Sequence, residues 1–145
     1  MISLNDIFVR WEQDSKINPT ALNHEALIIS QLHCTYYQIL SNERLCLKAL
    51  ELEHKMLYLQ KHEFLTQGET EETLQKGWKL PPKGCVLKSE ASLYLDADND
   101  LNENLLMIFS VREKVSVLED ILKIIHSRGY LIKSAIDFVR FQAGN

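Results

Sequence analysis

The chain has 145 residues, of which 46% are hydrophobic and 25% are charged, so it is long enough to bury a core of its own. No apolar run approaches the roughly 18–20 residues that a membrane helix requires, and the first residues lack the layout of a secretory signal. With 16 basic and 20 acidic residues the net charge is −4, which excludes a uniformly basic surface for duplex DNA and leaves only local or repeated basic patches.

The first predicted helix covers about residues 4 to 16 and has an apolar face around Ile7 and Trp11. The dipeptide Asn18-Pro19 predicts the start of the next helical region, because asparagine is a good N-cap and proline is favoured at the first helical position. Behind it a seven-residue repeat, apolar at six of its seven positions, predicts one long helix or two collinear ones broken at Ser41-Asn42. The repeat consists of Leu22, Ile29, Tyr36, Glu43, Leu50, Leu57 and Phe64.

Glycine and proline, which interrupt helices, are scarce outside one window. Five of the eight such residues fall within residues 66–88, which we therefore expect to be a linker or extended loop. A short amphipathic segment over residues 89–95 follows. Another long helix is predicted to begin at Asp98 or Asp100, because acidic residues are favoured at a helix N-terminus, and its apolar residues recur every three or four positions.

The last part of the chain is predicted to form a short helix. Gly129 predicts the end of the preceding long helix, since glycine often terminates helices. Residues 130–141 then form a helix that is apolar around much of its circumference. Elongated helices with lengthwise apolar seams cannot all be buried within a small monomer, so the pattern predicts self-association.

Together these elements predict a mainly all-α fold, with long helices, a Gly/Pro-containing loop and a short C-terminal helix. We expect a single domain over residues 1–145. Its parts are an N-terminal helical part at residues 1–65, a linker at residues 66–88 and a C-terminal helical assembly part at residues 89–145.

No pattern in the sequence favours catalysis or metal binding. The acidic run from Asp96 to Asp100 resembles the start of a calcium loop, but Leu101 and Met107 stand where that loop requires glycine and glutamate. The five histidines lack zinc-site spacing, and no phosphate-binding, dinucleotide or Ser-His-Asp motif is present. The three cysteines lack CxxC spacing and favour a reducing cytoplasm. We therefore expect no enzyme activity, no metal and no cofactor.

Positive charge is concentrated in two segments. Residues 73–89 contain four lysines and Trp78 without any acidic residue, and residues 121–145 carry a surplus of three positive charges. Lysines around an aromatic side chain on a flexible segment are typical of single-strand DNA binders, which neutralise phosphates and stack bases. The alternative is a solvated loop that Trp78 anchors onto the helices, and the residues alone leave both open.

The C-terminal third resembles a known family. The stretches LDADND at residues 95–100, HSRGYLIK at 126–133 and RFQAGN at 140–145, with the long helix between them, resemble the end of the UvsY-type recombination mediators of tailed phages. The match runs without a gap to residue 145. Residues 4–64 fit more loosely, in length and helical character.

This resemblance implies a role in DNA recombination, repair and replication that composition does not show. Mediators of the family are not enzymes; they form ring-like homo-oligomers, bind single-stranded DNA and contact both the phage single-strand binding protein and the phage recombinase. They help the recombinase start its filament on DNA that the binding protein already covers. The resemblance thus implies a hexamer or heptamer in the cytoplasm of an infected bacterium, without a membrane partner.

Charge pattern and resemblance together select the candidate site residues. The family's Lys-x-Arg element in the second long helix matches Leu59 and Lys61, so one of its two charges is missing here, while Arg128 and Lys133 match the turn that contains SRG. The candidate DNA-binding residues are Lys55, Lys61, Lys76, Trp78, Lys79, Lys83, Arg128 and Lys133. The candidate assembly residues are Tyr130, Leu131, Ala135, Phe138 and Phe141.

A rival interpretation is a helical scaffold or adaptor that binds only proteins. The acidic balance, the incomplete Lys-x-Arg element and the lengthwise apolar seams favour it. Salt dependence separates the two, because a mediator loses affinity for single strands steeply as salt rises, whereas a scaffold binds none.

Overall fold

A computed structural model describes Met1 to Gly144, and within these residues it contains α-helices and no β-strand. The helices are α1 Leu4–Asp14, α2 Leu22–Leu27, α3 Ile29–Gln67, α4 Glu71–Gln75, α5 Ala91–Asp96 and α6 Asn99–Gln142. The predicted all-α fold is therefore confirmed. None of the helices in the described part of the chain is both long and apolar enough to cross a membrane.

The chain divides into two compact units. Unit 1 combines Met1–Leu45 with the chain from Val111 onward, and unit 2 is Cys46–Ser110. The predicted division into parts at residues 1–65, 66–88 and 89–145 stays a prediction, and its last residue, Asn145, lies outside the described residues.

Unit 1 begins with a well-capped helix. The Ser3 hydroxyl accepts the Asp6 N–H at 3.0 Å, and the Ser3 N–H donates to the Asp6 carboxylate at 3.0 Å. The Ser3 hydroxyl also donates to the Asp6 carboxylate at 2.6 Å. This bond, and then the one from the Ser3 N–H, hold the pKa of Asp6 below its usual range. The helix so started buries Ile7 in a core whose other members are Tyr36, Leu40, Leu118, Ile121 and Ile125.

The seven-residue repeat begins in α2 at Leu22 and continues through α3, where it directs side chains toward the interior of each unit. Tyr36 is buried in unit 1, and Phe64 is buried in unit 2. The one polar position of the repeat, Glu43, is also buried, and its carboxylate lies 2.7 Å from the Lys114 ammonium group of α6. An ion pair thus compensates the charge that the repeat places in an apolar seam.

Two predicted boundaries near the start of α3 are wrong. Asn18 does not cap a helix: α2 begins at Leu22, and the Asn18 side chain instead accepts the Thr20 N–H at 3.0 Å within a turn. If the predicted long helix was divided in two, the break was expected at Ser41-Asn42. The helix α3 is continuous there, and the interruption falls at Ile28, between α2 and α3.

The predicted end of the long helix at Gly129 is also wrong, because α6 continues from Asn99 to Gln142. Gly129 is not among the glycines with positive φ in the described chain, which is the conformation that ends helices. Ile125 and Ile132 are buried on either side of it. Their packing outweighs the roughly 1 kcal/mol that glycine costs within a helix. The candidate assembly residues therefore lie on the last turns of α6 and not on a separate short helix.

Unit 2 has its own core, and part of the predicted loop packs into it. The core consists of Phe64, Leu65, Val86, Ala91, Leu95 and Leu101. The loop contains the short helix α4, and the Val86 N–H donates to the Leu65 carbonyl at 2.8 Å. The last long helix was predicted to start at Asp98 or Asp100, and in the structure Asp98 is the residue directly before α6. Its carboxylate caps the helix by accepting the Leu101 N–H at 2.9 Å.

Candidate nucleic-acid interface

Lys61, a candidate DNA ligand on α3, lies at the centre of a cluster in unit 2. The residue is only 6% exposed. Its ammonium group lies 2.7 Å from the Asp100 carboxylate and 3.0 Å from that of Asp98, at the start of α6. It also lies 4.2 Å from the centre of the Trp78 ring. Because two carboxylates and an aromatic face compensate this charge, Lys61 does not present it to a phosphate.

Trp78 holds the loop after α4 against α3. Its half-buried ring meets that of Phe64 edge-on, with the ring centres 5.6 Å apart. The ammonium group of Lys76 lies 5.0 Å from the centre of the same ring, in addition to that of Lys61. A nucleobase that stacked on Trp78 would have to compete with these contacts. These contacts are the ones expected if Trp78 anchors the loop onto the helices, which was the alternative to base stacking in the sequence analysis.

A cavity of about 550 Å³ lies beside this cluster. Its lining includes Lys61, Trp78, Lys79, Tyr94, Asp98 and Asp100. The two carboxylates disfavour the approach of a polyanion, so the cavity is a poor site for a phosphate. Nowhere in residues 1–144 do three or more His, Cys, Asp or Glu side chains gather as metal ligands would.

The other lysines selected from unit 2 are accessible to solvent. Lys79 and Lys83 are exposed on the loop, and Lys55 is exposed on α3. Lys76 is also exposed, and it lies 3.3 Å from the carboxylate of Glu72 one turn earlier. An exposed pair of this kind is weak, so the Lys76 ammonium group can exchange its partner for a phosphate at little cost.

Arg128, in unit 1, is 4% exposed and joins α6 to the end of α1. Its guanidinium donates to the carbonyl of Asp14 at 2.8 Å and to that of Lys16 at 3.1 Å, and it lies 3.1 Å from the Glu25 carboxylate. Carbonyl groups at a helix C-terminus have no partner within the helix, and Arg128 supplies one. The charge of Arg128 is therefore compensated inside unit 1 and is not presented to a phosphate. Lys133, on the same helix, is exposed.

The end of α6 carries an exposed apolar surface. Four of the five candidate assembly residues, Tyr130, Leu131, Phe138 and Phe141, are exposed, and Ala135 is half-buried. Large exposed aromatic and aliphatic side chains that lie close together typically mark an interaction surface.

Sequence reasoning missed two features of unit 2. The partners of Lys61 were not foreseen, because Asp98 and Asp100 are distant in the chain and were interpreted only as a helix start. The exposed apolar side chains of α6 at residues 105–109 were also missed, although the sequence carried a signal. The run LLMIF is apolar at every position, which is more than one face of a helix can bury.

Comparison with known proteins gives a consistent result. The family described as the recombination, repair and single-stranded-DNA-binding protein UvsY matches the chain over residues 10–145. A crystal structure of the bacteriophage T4 recombination mediator protein UvsY, lattice type II, has a TM-score of 0.81 and 22% sequence identity, over 99% of each chain.

Two further crystal structures of the T4 protein show the same likeness. Lattice type IV matches 97% of this chain and 99% of that one, with 18% identity and a TM-score of 0.79. Lattice type I matches 94% and 98%, with 21% identity and a TM-score of 0.79. No curated protein sequence gives a significant match. At these identities the structural likeness concerns the fold.

Proposed function

The chain belongs to the UvsY family, and from that premise we propose that this phage recombination mediator binds single-stranded DNA and helps load the phage recombinase onto strands covered by single-strand binding protein. The structural observation that supports this proposal is a group of exposed lysines in unit 2. The group consists of Lys55, Lys76, Lys79 and Lys83. Lys61 and Arg128 are left out because their charges are compensated within the protein.

The exposed lysines give each copy only a few phosphate contacts. Affinity for a single strand depends on the number of phosphates that a protein neutralises, and a chain with a net charge of −4 repels the strand elsewhere. Binding per copy is therefore weak. Several copies that contact one strand gain through effective concentration, since the second contact becomes intramolecular once the first has formed.

The exposed apolar end of α6 supplies a means of bringing copies together. Burial of Tyr130, Leu131, Phe138 and Phe141 against other copies removes a large apolar surface from water. We propose that Ala135 lies within the same contact and that the assembly is a ring-like hexamer or heptamer. Such a ring repeats the lysines of unit 2 into a track for one strand.

The track also suggests how loading proceeds. A strand that follows the ring is distorted, which weakens the grip of the resident single-strand binding protein. The strand is then presented to the recombinase, which starts its filament there. Both phage proteins are accordingly proposed as partners, in the cytoplasm of the infected bacterium.

A charge-removal series tests the DNA-binding part of this proposal. We expect Lys76→Ala combined with Lys79→Ala, and separately Lys55→Ala, to weaken binding of a fluorescent oligothymidine measured by anisotropy. Each lost contact should lower the slope of log affinity against log salt by about 0.7. Lys123→Ala is the matched control, because Lys123 is a highly exposed lysine of unit 1 outside the proposed track.

Two results would contradict the proposal. If the chain binds no oligothymidine at any salt concentration while it remains folded and associated, the protein-binding scaffold is the better interpretation. If a variant that stays monomeric binds the strand as tightly as the assembled protein, multivalency is not the source of affinity.

A further inference from the structure

Two carboxylates of unit 2 bind the Lys61 ammonium group in the way that a DNA phosphate would. The ammonium group lies 3.0 Å from the Asp98 carboxylate and 2.7 Å from that of Asp100. These are the distances of charge-assisted hydrogen bonds, which phosphate oxygens form with an ammonium group as well. A phosphate that approached Lys61 would therefore have to replace the two aspartates.

Lys61 lies beside two of the exposed lysines that we propose to bind the strand. Lys61 and Lys79 line the same cavity of about 550 Å³, and the other charged residues in its lining are the two aspartates. The ammonium groups of Lys61 and Lys76 lie 4.2 Å and 5.0 Å from the centre of the Trp78 ring. A strand held by Lys76 and Lys79 therefore passes close to Lys61, whose flexible side chain can turn toward it through the cavity once its present partners are removed.

The fold gives Asp98 an advantage over a phosphate. One of its carboxylate oxygens accepts the Leu101 N–H at 2.9 Å at the start of α6, and the other faces Lys61. A competitor that the fold already holds at its target loses little freedom on binding, whereas a strand has to be captured from solution. Asp100 is the weaker competitor, because its side chain is 53% exposed and screened by water.

We propose that Asp98 and Asp100 limit the affinity of unit 2 for single-stranded DNA, because they withhold Lys61 from the strand and repel the phosphates next to Lys79. The inference rests on the proposed function and deepens it by naming the residues that set the strength of binding. A strand bound without Lys61 also dissociates faster, since affinity differences between related complexes lie mostly in the dissociation rate. Limited affinity suits a protein that has to pass its strand to a recombinase.

Removal of the two negative charges tests the proposal. Asp98→Asn combined with Asp100→Asn preserves the size of both side chains, and asparagine still caps α6. We expect the affinity for a fluorescent oligothymidine, measured by anisotropy, to rise roughly tenfold at low salt. The slope of log affinity against log salt should become steeper by about 0.7 for each copy that the strand contacts. The dissociation rate, measured by stopped flow against excess unlabelled strand, should fall by a similar factor.

Asp96→Asn combined with Glu103→Gln is the matched control. It removes the same charge from two exposed residues in the same part of unit 2, neither of which pairs with Lys61. We expect it to raise the affinity by less than about threefold, because exposed charges that do not touch the strand act on it only through screened repulsion. An equal gain in the control would show that net charge sets the affinity, which overturns the proposal.

The gain should depend on Lys61. Lys61→Ala added to Asp98→Asn and Asp100→Asn should abolish most of it, whereas Lys61→Ala alone should change the affinity of the parent by less than about threefold. Asp100→Asn alone retains Asp98, perturbs the cluster least and should give a smaller gain that also requires Lys61. Circular dichroism and urea denaturation verify that each variant is folded. A gain that persists without Lys61 would overturn the proposal.

The same measurements separate this inference from the proposed function. If the parent binds oligothymidine in a salt-dependent way and the variant with both asparagines binds no more tightly than the control, the inference is wrong and the DNA-binding function stands. If only the variant binds, the carboxylates withhold the lysine as proposed, but the parent lacks the proposed function. If neither protein binds at any salt concentration while folded and associated, both fail.

Discussion

The Lys61 ammonium group lies 2.7 Å from the Asp100 carboxylate and thereby joins α3 to the first turn of α6 inside unit 2. The same ammonium group contacts Asp98 and the Trp78 ring. One cation thus connects two helices and the loop that closes over them. A residue whose charge and position in the sequence suggested DNA contact has a structural role in the folded chain.

The first prediction concerns the stability that Lys61 provides. Lys61→Ala leaves Asp98 and Asp100 without their cation, and we expect it to lower the free energy of unfolding by about 2 kcal/mol. The loss is smaller than for a fully buried pair because the Asp100 side chain is half exposed and therefore screened by water. Urea denaturation measures it.

Lys79→Ala is the control for this prediction, since Lys79 is exposed. It should change stability by less than about 0.5 kcal/mol and should weaken oligothymidine binding instead. A Lys61→Ala protein with normal stability and reduced DNA affinity would show that Lys61 contacts the strand after all.

The second prediction concerns Arg128, which hydrogen-bonds the carbonyl groups of Asp14 and Lys16 and pairs with Glu25. Arg128→Met leaves a buried carboxylate without its partner, and we expect a loss of about 3–5 kcal/mol in the free energy of unfolding. Thermal and urea denaturation measure it. Lys133→Met, on the exposed side of the same helix, should be nearly neutral; equal losses for both variants would contradict the assigned role of Arg128.

The helical class could be predicted from the sequence, because the seven-residue repeat of α3 depends on local periodicity alone. Glu43, the one polar residue of the repeat, also points to the interior as the repeat predicts. The spacing could not show that Lys114 is the partner of Glu43. The roles of Lys61 and Arg128 could not be predicted either. Whether a cation faces water or a carboxylate depends on residues distant in the chain, and the charge pattern of a segment carries no information about them.

The third prediction concerns pH and Tyr36. Burial, and then the hydrogen bond that its hydroxyl donates to Asp14 at 2.9 Å, raise the pKa of Tyr36 above its usual value near 10. The folded chain thus retains a proton that the unfolded chain releases. The stabilising contribution is complete below pH 10 and is lost as pH rises above it.

Tyr36→Phe tests this linkage. We expect it to lower the free energy of unfolding by about 1 kcal/mol at neutral pH, through loss of the hydrogen bond. The variant should also lose less stability than the parent between pH 9 and 11, roughly the range in which an unfolded tyrosine titrates. Tyr37→Phe, at a half-exposed position outside the proposed contacts, is the control. Parallel stability curves for Tyr36→Phe and the parent over this pH range would contradict the prediction.

The last prediction uses Gly129, where local sequence preference and the observed helix disagree. Gly129 lies within α6, and a Cβ atom added to it meets no atom within 4 Å. We therefore expect Gly129→Ala to raise the free energy of unfolding by about 1 kcal/mol, because alanine loses less backbone entropy in a helix. Urea denaturation measures the change.

Gly68→Ala is the opposite control for Gly129→Ala. Gly68 has a φ of +103°, and a Cβ atom there would lie 3.4 Å from the Cys85 sulfur, so alanine at this position should destabilise the chain. If Gly129→Ala also destabilised it, residue 129 would need a conformation that alanine avoids. The long helix would then end at Gly129, as its local sequence suggests, and the apolar residues beyond would form a helix of their own.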